Sequence, residues 1–278
     1  MIHLNIGYSP CPNDTYIMAA LAQDKVDTPL TFNPLLADVE TLNQWALAEK
    51  LEVTKLSFMA LGMVRNSYGL LYAGAALGSG CGPLVVARPG TTLADFDRGL
   101  VAAPGDLTTA RLLLSLYLGK SPRFKQMVFS DIMPAVARGE ADFGLVIHEG
   151  RFTFAEHGLE ALLDLGKWWE QETGRPIPLG GIAIRRDLGS EVAAMVDQAI
   201  YSSLMMARAN PTEAMKYVLA YAQEMDMIVV QQHIDLYVNS FSFNIGAEGE
   251  EAVRTLYSKA EEAGLLPGSS LPLMAHGS

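Results

Sequence analysis

Two short segments of this chain echo each other, and they constrain its fold more than any other feature. Gly82–Arg88 reads GPLVVAR and Gly180–Arg186 reads GGIAIRR. Each is a turn, an apolar strand and then arginine. A complete strand–helix alternation lies between them. Two crossings between two lobes explain the echo most simply. On that reading residues 1–86 and 186–278 form a discontinuous first lobe, and residues 87–185 form the second. The alternative is that the two segments are neighbouring strands of one sheet. Two crossings imply a cleft between lobes, the usual seat of a small ligand.

Hydrophobic periodicity fills in this frame. Residues 2–7, 29–36, 53–56, 70–75, 83–88, 100–103, 127–129, 143–147 and 181–186 read as strands. Residues 15–23, 39–50, 108–118 and 132–138 read as helices, with Asn13 or Asp14 capping the first and Asp38 the second. From Ser190 onward the pattern is helical. Such alternation predicts an α/β fold of parallel sheets covered by helices. The chain has 278 residues, half of them apolar, enough for two lobes each with its own core. The segment from about Leu265 has no clear period and is the one candidate for disorder.

The balance of charge narrows the partners. A net charge of −11 without a basic cluster argues against nucleic acid, whose phosphates need grouped Lys and Arg. An anionic ligand must then be held by local features such as helix N-termini and hydroxyls. The two cysteines, Cys11 and Cys81, form no CxxC or Cys/His ligand spacing, so no metal site is expected. No basic segment leads into an apolar one at the N-terminus, and no apolar run approaches the ~18 residues of a membrane helix. A cytoplasmic protein with no membrane partner is expected.

Ligands of open α/β sheets bind beyond the carboxyl ends of the strands. Four polar clusters fall at such ends. In SPCPNDT (Ser9–Thr15) two prolines stiffen a strand-to-helix turn, with Ser9, Asn13 and Thr15 as candidate donors. In TKLS (Thr54–Ser57), Lys55 offers charge, and Ser57 offers its hydroxyl and backbone N–H. In PGDLTTA (Pro104–Ala110), Thr108 and Thr109 open an apolar helix. One threonine is explained by capping and the second is not. In VIHEGRF (Val146–Phe152) an apolar strand ends on His148, whose imidazole titrates near neutral pH and can act as general base. Glu149 and Arg151 follow and are candidates to orient it or to bind substrate. His3, His157, His233 and His276 carry no such context, and Trp168 and Trp169 read as lobe core.

The set SPCPNDT, DVETLN (Asp38–Asn43), TKLS, GPLVVAR, TTA, IHEGRF and YVNSFS (Tyr237–Ser242), in this order, resembles the 1,4-dihydroxy-6-naphthoate synthase family of the futalosine route to menaquinone. The resemblance implies a two-lobed, periplasmic-binding-protein-like fold and a carboxylated small-molecule substrate, cyclic dehypoxanthine futalosine. It implies His148 as proton acceptor, substrate contacts at Lys55–Ser57 and Thr108–Thr109, and no cofactor. Two rival readings are chorismate dehydratase of the same pathway and a non-catalytic solute receptor of the same fold. Oligomeric state is not legible in the sequence.

Overall fold

The computed structural model of the chain describes residues 2–148, 150–222 and 226–277. Among the described residues, eleven strands form two sheets. The first sheet contains β1 (Ile2–Tyr8), β2 (Leu30–Leu36), β3 (Val53–Ser57), β4 (Tyr68–Leu70), β5 (Ala76–Gly78) and β11 (Ile177–Arg185). Its order is β2-β1-β3-β11-β4, with β5 also on β11. The second contains β6 (Leu84–Ala87), β7 (Leu100–Ala103), β8 (Arg123–Gln126), β9 (Phe143–Val146) and β10 (Glu160–Asp164), in the order β10-β6-β9-β7-β8.

The two echoing segments lie in different sheets. Leu84–Ala87 is in the second and Ile177–Arg185 in the first, so the chain passes between sheets just before β6 and between β10 and β11. This makes the molecule two-lobed. The sheets are not the purely parallel ones that the alternation suggested. β1, β2 and β3 run parallel, as do β7, β8 and β9. β11 runs antiparallel to β3, and β6 antiparallel to β9. Each antiparallel strand carries the chain into a lobe from the other lobe, and periodicity says nothing about a strand's direction.

Two further expectations fail for local reasons. The strand expected over residues 70–75 does not continue past Leu71, whose N–H donates to the Ile182 carbonyl of β11, because the next N–H groups find other partners. Asp197 accepts from Tyr72 and Ala73 at 3.1 and 2.7 Å, and the Ser242 carbonyl accepts from Gly74 at 2.8 Å. The tail is packed rather than disordered. Leu266, Leu273 and Met274 are buried, the Leu70 N–H donates to the Leu273 carbonyl, and His276 meets Asp197 at 2.7 Å.

The lobes share a continuous core. Leu56 and Leu77 of the first sheet, Phe58 of the helix that follows β3, Val85, Val101, Phe143 and Leu145 of the second sheet, and Trp169 belong to one buried cluster. Trp169 is wholly buried and its indole N–H donates to the Pro176 carbonyl at 3.2 Å; Trp168 packs edge-on against Tyr117. Trp169 is therefore core, and half-buried Trp168 packs against that core. A second cluster packs the helices Pro12–Met18, Gly189–Ala209 and Pro211–Tyr221 on the outer face of the first sheet.

β3 and β11 approach each other closely at the cleft. Gly180 pairs with Ser57, and a Cβ at Gly180 would stand 2.5 Å from the Leu56 carbonyl oxygen. A backbone atom cannot yield as a side chain can. Gly180→Ala is expected to lower the stability of the chain by about 1–3 kcal/mol, as overpacking generally does, read as a lower urea midpoint. An unchanged midpoint would mean that the two strands separate there at no cost.

Candidate active site

The carboxyl ends of β1, β3 and β9 and the start of the helix Thr109–Leu118 surround one cavity between the sheets, enclosing about 690 Å³ including the open mouth. Its walls include Ser9, Asn13, Asp14 and Lys55–Ser57 from the first lobe, and Thr108–Ala110, Ile147 and His148 from the second. Ser9, Asn13, Lys55, Leu56, Ser57, Thr108, Thr109 and His148 thus line one space. Val39, Leu56, Ala76, Pro83, Leu179 and Tyr237 make most of it apolar.

His148 arrives two residues after β9 in the left-handed region, at φ 51°. Such a conformation costs about 1–3 kcal/mol in a non-glycine residue and concentrates at functional sites. The ring is half-buried, edge-on to Phe129 and nearly parallel to His233 at 5.8 Å between centroids. Arg151 does not reach the cavity. Its guanidinium donates to the carbonyls of Gly80 and Gly82 and pairs with Asp164, bracing the crossing into β6. Glu149 lies outside the described residues.

Ser9, Asn13 and Lys55 converge on Asp14. The helix Pro12–Met18 begins at Cys11 without a side-chain cap, so Asn13 and Asp14 lie inside its first turn instead of capping it. Asp14 Oδ1 accepts from Lys55 Nζ at 2.7 Å and from Asn13 Nδ2 at 2.8 Å. Its Oδ2 accepts from the Ser9 hydroxyl at 2.7 Å. Lys55 and Asp14 are both almost fully buried. The lysine expected to meet an anionic ligand is therefore already neutralised by a carboxylate.

The hydroxyls of the other two clusters are also engaged. Ser57 caps the helix Phe58–Met63, accepting from Ala60 N–H, and donates to the Leu107 carbonyl. Thr109 Oγ1 donates to the Leu179 carbonyl at 2.6 Å and accepts from Phe58 N–H at 2.9 Å. Thr108 caps the helix Thr109–Leu118 by accepting from Arg111 N–H at 3.4 Å. These bonds tie the lobes across the cleft. The donors left to a ligand are main-chain groups. Helix geometry gives Thr109 and Ala110, in the first turn of a ten-residue helix, no intrahelical acceptor for their N–H groups. A carboxylate is stabilised at such a helix start by those groups and by the helix dipole.

The sequence reading did not single out the residues that aim this turn. Buried Glu40 accepts from Leu107 N–H at 3.1 Å, and buried Asn43 donates to the Leu107 carbonyl at 3.2 Å while accepting from Ser57 N–H at 3.1 Å. It also missed His233, which lies in the helix Met227–Tyr237, is 1% exposed and lines the cavity. One signal was available: Val230, His233, Ile234 and Tyr237 repeat at helical spacing, and all four are buried.

Burial, with His148 and Lys55 nearby, holds the His233 pKa well below its ordinary value of 6.5. The unfolded chain therefore takes up a proton below about pH 6.5 that the folded chain refuses, and stability falls as pH falls. Between about pH 7 and 5 this histidine is expected to contribute a slope of up to ~1.4 kcal/mol per pH unit, and His233→Gln should flatten it. Urea titrations of both chains across that range check this; parallel curves would contradict it. Cys81, also on the wall, has a thiol that burial pushes up to about 12, so it is no nucleophile near neutral pH.

The chain is similar to known proteins in sequence and in fold. The chain is 48% identical over 97% of its length to a 1,4-dihydroxy-6-naphthoate synthase of Thermus thermophilus, covering 98% of that protein. It is 42% identical to another from Streptomyces coelicolor, covering 95% of each chain. A solved structure from Archaeoglobus fulgidus matches with a TM-score of 0.89 and 37% identity, covering 95% of this chain and 98% of that one. A Candida albicans protein described as having the generic periplasmic binding protein fold matches with a TM-score of 0.68 at 12% identity, over 97% and 92% of the two chains. That likeness concerns fold alone. A family model described as menaquinone biosynthesis matches residues 4–262, and the chain belongs to that family.

Proposed function

We propose that this chain is a 1,4-dihydroxy-6-naphthoate synthase, a lyase that converts cyclic dehypoxanthine futalosine to 1,4-dihydroxy-6-naphthoate with His148 as general base. One observation carries the reading. An imidazole in a strained backbone position and a helix start suited to a carboxylate line the same, mostly apolar cavity.

The substrate carboxylate sits at the first turn of the helix Thr109–Leu118, held by main-chain N–H groups. Its ring lies against Leu56, Ile147 and Leu179, which shield the site from water. His148 takes a ring proton. The electron pair of that C–H bond forms a ring C=C bond, and the C–C bond to a carbon-linked fragment breaks. The fragment leaves with that bonding pair and takes up a proton from the His148 imidazolium, and the ring becomes aromatic. Aromaticity supplies the driving force, and a positioned base typically contributes ~10²–10⁴-fold. Closure of the lobes fixes the ring against the base. Among the described residues no helix is long and apolar enough to cross a membrane. The low cysteine content supports a reducing, cytoplasmic setting.

The test is to give the purified chain cyclic dehypoxanthine futalosine and chorismate separately and follow products by absorbance and mass. Formation of 1,4-dihydroxy-6-naphthoate from the first alone is the expected result. Turnover of chorismate alone would make the chain a dehydratase, and tight binding without turnover would make it a receptor.

A further inference from the structure

The cavity holds two imidazoles, and the proposed reaction gives a role to only one. His148 and His233 lie with centroids 5.8 Å apart and planes 21° from parallel. Their surroundings differ. His148 is half-buried at a strand end, whereas His233 is 1% exposed, with Nε2 2.9 Å from Asn13 Oδ1.

That contact fixes the proton on His233. Asp14 is surrounded by donors: Lys55 Nζ and Asn13 Nδ2 on one oxygen, the Ser9 hydroxyl on the other. A carboxylate so placed only accepts, so the Asn13 amide must turn its NH₂ to Asp14 and its oxygen to His233. An amide oxygen in turn requires a donor, so Nε2 of His233 carries the hydrogen and Nδ1 the lone pair. The order of bonds Ser9/Lys55–Asp14–Asn13–His233 thus selects a single tautomer. It also discourages protonation, since the outer end of the chain is an ion pair whose charges already cancel.

We infer that His233 is a positioning residue for His148, held as its neutral Nε2–H tautomer by Asn13 and Asp14 so that an uncharged ring face backs the general base. The inference rests on the reading of His148 as base. A backing ring that took a proton would repel the imidazolium that forms on His148 during proton abstraction. A ring that was absent would let His148 turn about its side-chain bonds. The groups facing His233 are consistent with this role. Lys55 and Asp14 form a closed pair, and Tyr237 packs at 4.6 Å on the same helix. β5, packed against that helix, contributes only Ala76, Leu77 and Gly78. Asp235 and Asp226 belong to the same helix and its cap.

Two kinds of measurement test it. In the unaltered chain, nitrogen NMR of the imidazoles should show His233 as the neutral Nε2–H tautomer across about pH 5–8, the range in which ordinary histidines titrate. The Nδ1–H tautomer, or titration of His233 within that range, would overturn the inference without need of any variant. In enzyme assays His233→Gln keeps a donor for Asn13 but removes the backing ring. It should lower kcat by about 10–100-fold with KM little changed, as loss of an orienting partner does. Asn13→Asp makes the acceptor anionic and favours protonated His233. The acid limb of kcat/KM should then move upward by about one pH unit or more. Folded variants with an unmoved limb and unchanged kcat would remove His233 from the mechanism. The base reading fails separately, if His148→Asn retains turnover.

Discussion

His148→Asn is expected to lower turnover of cyclic dehypoxanthine futalosine by about 10²–10⁴-fold while substrate affinity stays within a few-fold. Asparagine is small enough for the half-buried site and tolerates the left-handed backbone at φ 51° better than most residues, so the fold should survive. It keeps polar groups near the imidazole position but has no nitrogen that takes a proton near neutral pH. The proposed carboxylate seat at Thr109 and Ala110 belongs to a different element and is untouched. Calorimetric affinity and single-turnover rates separate the two effects. Loss of both together would make His148 a binding residue, and loss of neither would place the proton transfer elsewhere.

The second large effect concerns stability. Lys55→Met is expected to destabilise the chain by about 3–5 kcal/mol, because it leaves the Asp14 carboxylate buried without its counter-charge. Lys55 Nζ stands 2.7 Å from Asp14 Oδ1, and the two side chains are 8% and 5% exposed. Asn13 and the Ser9 hydroxyl still donate to Asp14, but neither carries charge. The paired change Lys55→Met with Asp14→Leu should recover much of the loss, since a buried ion pair itself costs desolvation. Urea unfolding of the three chains measures both effects. A loss below about 1 kcal/mol for Lys55→Met would mean that the pair is solvated as surface pairs are.

This pair marks where the sequence could be read and where it could not. Ser9, Asn13, Lys55–Ser57, Thr108, Thr109 and His148 all line the cavity, because each lies where a strand ends or a helix begins. Position along the chain is local information, and periodicity reports it. What the side chains do there depends on residues far away in sequence. Lys55 reads as a cation for substrate until Asp14, from another strand end, neutralises it. Thr109 reads as a ligand donor until its hydroxyl is found between Leu179 and Phe58. His233 reads as a helix residue until its contact with Asn13 appears. The tail shows the same limit: Leu273 and Met274 have no period, yet they complete a core made by β4 and its neighbours.

The most direct test of the site is a crystal structure of the His148→Asn chain with cyclic dehypoxanthine futalosine bound. The expected result has the substrate carboxylate on the N–H groups of Thr109 and Ala110, the ring against Leu56, Ile147 and Leu179, and the proton to be removed facing residue 148 with His233 behind it. A carboxylate bound to Lys55 in place of Asp14, or a ring turned away from residue 148, would contradict it.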